Sequence, residues 1–221
     1  MPLSYRELSA PAIEPVSLDQ AKLHLRVDYD DDDDYITALI IAARQFVEKI
    51  THRAIFNRKM LLQLDYFPWP GWGSTTGSTA HDYFLHWYYR GLTIRLPFPA
   101  TVSVESLSYL ANDGATVITI DPSNYNVDLI SEPARISPRP GYTWPYQQNY
   151  VPGQVRVNFT AGTYGDGVEV NNCPQTIYFA MLLLIGHWYS HRMAVTADAL
   201  KEVPMAVESL LANEVFDTFD W

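Results

Sequence analysis

The sequence contains one cysteine, Cys173, in 221 residues. A lone thiol excludes an intrachain disulfide framework and a zinc site built from clustered cysteines, and it suits a reducing compartment such as the cytoplasm. Basic residues are scarce: 15 Lys and Arg stand against 25 Asp and Glu, a formal charge of -10. Tight binding to nucleic acid, which works by neutralising phosphates and releasing their counterions, needs the opposite balance. Long apolar runs are missing too. Met1–Ala10 carries Arg6 and Glu7 and no apolar stretch of the secretory kind, so export is not expected. The most apolar run, Ile177–Ile185, stops at Gly186 and His187. That is short of the roughly 18 to 20 residues a membrane span requires, and it reads as a buried helix with no membrane partner.

What is present is enough apolar material for a real core, since 48% of residues are hydrophobic. Ser17-Leu18-Asp19-Gln20 has the form of a capping box and predicts a short helix to about Arg26. Six of the seven positions from Asp28 to Asp34 are aspartate, and Asp33 and Asp34 are placed to cap the helix that follows. In that helix Ile36, Leu39, Ile40, Ala43, Val47 and Ile50 keep the spacing of one apolar face. After Thr51 the period changes. Lys59–Asp65, Gly91–Leu96, Thr101–Leu107, Tyr125–Leu129 and Val155–Thr160 read as strands, and Asn112-Asp113-Gly114 as the turn of a hairpin between Leu107–Tyr109 and Val117–Ile120. A helix apolar nearly all round returns at Pro174 and runs to about His191, followed by a short one over Met205–Leu211. The predicted class is therefore α+β: a small helical bundle of N-terminal helices plus a long C-terminal helix, with a β-rich central portion and inserted loops. We expect a single domain over 1–221, with its helical core at 17–53 and 174–213, its β-rich portion at 55–165 and an inserted loop at 68–90.

No enzyme site is legible. His187 and His191 lie one helical turn apart and could share a metal, but Trp188 stands where a protease helix needs glutamate and no third ligand follows. The pair reads instead as two polar tips closing a core helix. The aspartate run fails as a calcium loop, because the sixth position from Asp28 is Asp33 instead of glycine and the twelfth is Leu39 instead of glutamate. Gly162, Gly165 and Gly167 follow a strand at the wrong spacing for a nucleotide loop and read as a mobile turn. No catalytic residue, resident metal or cofactor is expected.

Pro15–Val27, the acidic residues after it and Ile36–Arg53 resemble the opening of the head-to-tail connector (adaptor) proteins of tailed double-stranded-DNA phages. Leu96-Pro97-Phe98-Pro99, Val102–Tyr109, Asn112-Asp113-Gly114, Tyr125-Asn126-Val127 and Val155–Gly162 are similar to that family's central portion, and Pro174–Arg192 with His187-Trp188-Tyr189 to its closing helix. The stretches 68–90 and 142–151 look like extra loops. The resemblance implies a structural subunit in the virion neck, assembled in the host cytoplasm into a ring of about a dozen copies beneath the portal protein. Such a ring extends the DNA channel and meets other neck or tail-completion proteins. DNA would pass through without specific binding, which an acidic chain suits.

Within that reading, Asp30, Asp31, Asp32, Asp33 and Asp34 would line the channel or meet a neighbouring subunit. Phe216, Phe219 and Trp221 would anchor a C-terminal segment on the portal, unless they fold back on their own domain. The aromatic arm with Tyr83, Phe84, Trp87, Tyr88 and Tyr89 would pack on a neighbouring subunit, on the tail side, or on its own sheet. Three alternatives stand beside the connector: another neck component, such as a stopper or tail-completion protein, a metal-dependent hydrolase using His187 and His191, and a DNA-packaging accessory that binds DNA directly, which the charge disfavours.

Overall fold

The computed structural model describes residues 3–68, 92–146, 151–191 and 205–216. They form an α+β chain that divides into two compact units, one from residues 1–10 and 58–161, the other from 11–57 and 162–221. The aromatic arm lies outside the described residues, as do Phe219 and Trp221.

The first unit is β-rich. Its strands are β1 (Leu3–Glu7), β2 (Arg58–Leu64), β3 (Ile94–Arg95), β4 (Thr101–Leu110), β5 (Val117–Thr119), β6 (Tyr125–Asp128), β7 (Arg135–Pro138) and β8 (Val155–Ala161). They form a five-stranded sheet in the order β1-β2-β8-β4-β5 and a three-stranded sheet in the order β3-β7-β6, antiparallel throughout. The alternation in β8 explains its central place. Val155, Val157, Phe159 and Ala161 are buried, and the first three sit opposite the buried Leu64, Leu62 and Met60 of β2. The predicted hairpin forms between β4 and β5, with Gly114 at a positive φ of 70° and the Asp113 carboxylate accepting the amides of Ala115 and Thr116 at 2.9 Å. Trp144, in a stretch that reads as an extra loop, is buried. It stacks on Phe67 with centroids 5.1 Å apart and donates from Nε1 to the Leu92 carbonyl at 2.6 Å.

The second unit is helical: α1 (Leu18–Leu25), α2 (Asp33–Thr51), α3 (Gln175–Ser190) and α4 (Met205–Leu211). Ser17 and Gln20 close a reciprocal capping box on α1. The apolar face of α2 (Ile36, Leu39, Ile40, Ala43, Val47) buries against Ile177, Ala180, Met181, Leu184 and Ile185 of α3, and Val207 and Leu211 of α4 complete the core. Each Val, Leu, Ile or Met side chain so taken from water stabilises the unit by about 1.5–3 kcal/mol. α3 is not buried on every side, because Phe179 remains 52% exposed.

The glycine-rich turn after β8 is held by main-chain bonds, three to residues 54–57 and one within itself. The Asn57 amide donates to Gly165, the Thr163 amide to Ala54, the Tyr164 amide to Ile55 and the Gly167 amide to Val170.

Candidate functional site

The acidic run folds into a corner where α1 hands over to α2. Asp32, not Asp33 or Asp34, occupies the position before the first turn of α2, and its side chain makes no cap bond to the helix amides. The expectation that Asp33 and Asp34 cap the helix is thus corrected: both lie inside the first turn. There their charge complements the positive helix end without a capping bond.

Two of the five aspartates spend their charge locally. Lys22 Nζ donates to Asp30 Oδ1 at 2.6 Å and to Asp33 Oδ1 at 2.7 Å. These bonds, that to Asp30 foremost, hold the Lys22 ammonium well above its ordinary pKa, and the same contact lowers Asp30. Asp32 Oδ2 accepts the Tyr189 hydroxyl at 2.6 Å and that of Tyr29 at 3.2 Å, fastening the end of α3 to the corner. Bonding to Asp32, with a smaller part from Tyr29, keeps the Tyr189 phenol protonated above its usual range. Asp28, Asp31 and Asp34 are exposed.

A second corner gathers the chain after α4. Glu214 accepts the Tyr164 hydroxyl at 2.7 Å and that of Thr176 at 3.2 Å, while its own carbonyl accepts Arg53 Nε at 3.1 Å. The Phe216 amide donates to the Thr51 carbonyl at 2.8 Å, and the Arg53 guanidinium lies 5.6 Å from the centre of the Phe216 ring. Of the three tail aromatics, Phe216 therefore packs on its own unit. Burial raises the Tyr164 phenol, and with Glu214 nearby it raises the Cys173 thiol to about 12.

The histidine rings lie with their centres 4.7 Å apart and their planes tilted by 33°, and His191 Nδ1 lies 2.8 Å from the His187 carbonyl. Among the described residues no group of three or more His, Cys, Asp or Glu side chains could hold a metal ion.

Charge is divided unevenly between the units. The helical unit holds 17 acidic and 7 basic residues, whereas the β-rich unit holds 8 of each. The whole net charge of -10 thus belongs to the helical unit.

Residues 15–68 match the family model of the phage gp6-like head-tail connector protein. The match takes in α1, the acidic corner, α2 and β2. No curated protein matches. Solved structures do, along nearly the whole chain. A chain in the neck of an empty gene transfer agent particle computed with C6 symmetry is similar with a TM-score of 0.70 and 19% identity. A chain in the virion of a native gene transfer agent particle gives 0.66 and 17%, and one in the neck of the native particle computed with C12 symmetry gives 0.62 and 19%. In each case the likeness covers 98% of this chain and 97% of the other. At such identities the likeness establishes a shared fold.

Proposed function

We propose that this chain is a structural head-to-tail connector subunit of a phage-like particle, located in the virion neck. The observation that carries the proposal is the agreement of fold over 98% of the chain with a neck protein, joined to the connector-family match over residues 15–68. Its role is to bind and to hold a channel open, not to catalyse. Copies close into a ring of about a dozen, a number supported by similarity to a neck computed with C12 symmetry. The ring sits beneath the portal protein, extends the DNA channel, and meets other neck or tail-completion proteins on its far side.

A conduit for a sliding polyanion should avoid strong phosphate contacts, and the acidic helical unit meets that need. Asp30, Asp31 and Asp34, all exposed, are the carboxylates of Asp30–Asp34 proposed to face the channel or a neighbour, Asp30 while paired with Lys22. Phe219 and Trp221, beyond the anchored Phe216, are the proposed portal anchors, and the arm with Tyr83, Phe84, Trp87, Tyr88 and Tyr89 the proposed contact to a neighbouring subunit or the tail side.

The test is a cryo-electron-microscopy reconstruction of the neck, or of the protein assembled on its portal. A ring coaxial with the channel and directly below the portal is expected. A ring elsewhere in the neck would make the chain a stopper or tail-completion protein instead, and absence from the neck would overturn the proposal.

A further inference from the structure

β1 is attached to its sheet in an unusual way. Every other strand of the β-rich unit comes from the continuous stretch 58–161, whereas β1 comes from the first residues and runs on directly into the helical unit. A strand on a packed sheet ordinarily buries alternate side chains. From Ser4 onward β1 does not do so: every residue from Ser4 to Ala10 is exposed, with Tyr5 at 53% and Leu8 at 45%.

What holds the strand is almost all main chain. It pairs with β2 from Leu3 opposite Leu64 to Glu7 opposite Met60, and the Leu8 amide donates to the Lys59 carbonyl at 2.8 Å. Side-chain contacts among the described residues add to the ladder. Arg58 Nη1 donates to Glu7 at 3.1 Å, the Lys59 amide donates to Ser9 Oγ at 3.3 Å, and Tyr5 meets Phe98 edge-on at 4.9 Å. All of them reach β2 or Phe98, so a β1 supplied by another molecule would make the same set.

The hinge is short and stiff. Downstream, Glu14 is already fixed by Arg44 at 2.8 Å and Val16 is buried, which leaves Ala10-Pro11-Ala12-Ile13 to set the direction of the arm. Proline in so short a connection restricts the ways the arm can return to its own sheet, the circumstance in which exchange between copies costs least.

We propose that β1 is an exchange arm: in the assembled ring it pairs with β2 of a second copy of this chain. The inference rests on the ring reading above and adds to it the means by which copies are tied. An arm on one side and an open β2 edge on the other give each copy two different complementary surfaces, as a closed head-to-tail ring requires. Withdrawal of β1 uncovers a strand edge but takes no buried side chain of Ser4–Glu7 with it, so the copy that gives up its arm keeps its fold.

The experiment uses Ser4 and Gln63, which face each other across the β1–β2 pair. Opposed residues of antiparallel strands have Cα atoms about 4.5–5.5 Å apart, within disulfide reach. Full-length Ser4→Cys and Gln63→Cys copies are mixed, assembled on the portal and oxidised, with the wild-type chain as the control for Cys173. A covalent dimer between the two variants is expected, and a ladder of linked copies from the doubly substituted chain. Rings whose doubly substituted chains close only on themselves, with the mixed single variants unlinked, would overturn the inference and leave the connector reading intact. Deleting residues 1–10 gives an independent readout: the helical signal should persist while rings are lost, and intact rings would reject the exchange. A wild-type chain that enters no ring overturns both readings, an outcome seen directly in the neck reconstruction.

Discussion

Arg44 donates from Nη1 to Glu48 at 2.9 Å inside the helical unit, one turn further along α2, and neither side chain is more than 5% exposed. The pair is the centre of a larger arrangement. Arg44 Nε also donates to Glu14 at 2.8 Å, and Glu48 Oε1 accepts the Ile55 amide at 2.9 Å. The chain before α1 and the chain after α2 are thereby tied to one helix. Replacing Arg44 with methionine strands a buried carboxylate, at a cost of about 3–5 kcal/mol. Replacing Glu48 with leucine orphans a buried amide at about 1–3 kcal/mol. The double variant should lose less than the sum of the two, as urea denaturation of all four chains would measure. Strict additivity would mean that the two side chains are not coupled.

Gly165 has a φ of 94°, and a Cβ there would run into the carbonyl of Val170, which already accepts the Gly167 amide at 3.0 Å. Backbone cannot yield as a flexible side chain can. Gly165→Ala should therefore cost about 2 kcal/mol or more, a fall of about 1 M in the urea midpoint. An unchanged midpoint would show that the turn after β8 rearranges freely.

Much of this architecture is legible in the sequence wherever a side-chain period coincides with burial. α2 declares itself through Ile36, Leu39, Ile40, Ala43 and Val47, β8 through strict alternation, α1 through its capping box, and the β4–β5 hairpin through Asn112-Asp113-Gly114. β1 escapes because Ser4–Glu7 is exposed and carries no periodic signal. β7 escapes because Arg135–Pro138 is short and ends in proline, and among the described residues of the expected Gly91–Leu96 strand the ladder takes in Ile94–Arg95, with the Leu96 amide on the Ala134 carbonyl. The acidic corner is half legible. Its charge is plain, but its neutralisation is not, since Lys22 reaches Asp30 and Asp33 across 8 and 11 residues and Tyr189 reaches Asp32 across 157. No local pattern encodes contacts of that kind.

Asp113 gives the β-rich unit an acid limb of known sign. Its carboxyl is lowered from 3.8 to about 2, first by the Thr116 hydroxyl and then by the amides of Ala115 and Thr116. Because the folded value lies below the unfolded one, the contribution is fully present above about pH 4 and disappears as pH falls through about 2. Asp128 is shifted in the same direction, chiefly by the Ser131 hydroxyl and Arg135. Carboxyl-carbon NMR titration should place the Asp113 midpoint near 2, and Asp113→Asn should flatten the loss of hairpin order in that window. A midpoint at the ordinary aspartate value would mean that the turn bonds do not persist in solution.

The tail divides at Phe216. Up to that residue the chain is fastened to its own unit, by the Phe216 amide on Thr51 and by Arg53 over the ring. Phe216→Ala should therefore lower stability by about 0.5–1 kcal/mol, roughly the worth of an exposed cation–π contact. Phe219 and Trp221 lie beyond this anchor, and aromatic side chains of this size are the usual centres of binding energy at interfaces. Phe219→Ala with Trp221→Ala should leave the unfolding free energy from urea denaturation within about 0.5 kcal/mol of the wild type while weakening portal binding at least about tenfold. The two effects separate the two uses of the tail. Lost stability with undiminished portal binding would assign Phe219 and Trp221 to the chain's own fold and move the portal contact elsewhere.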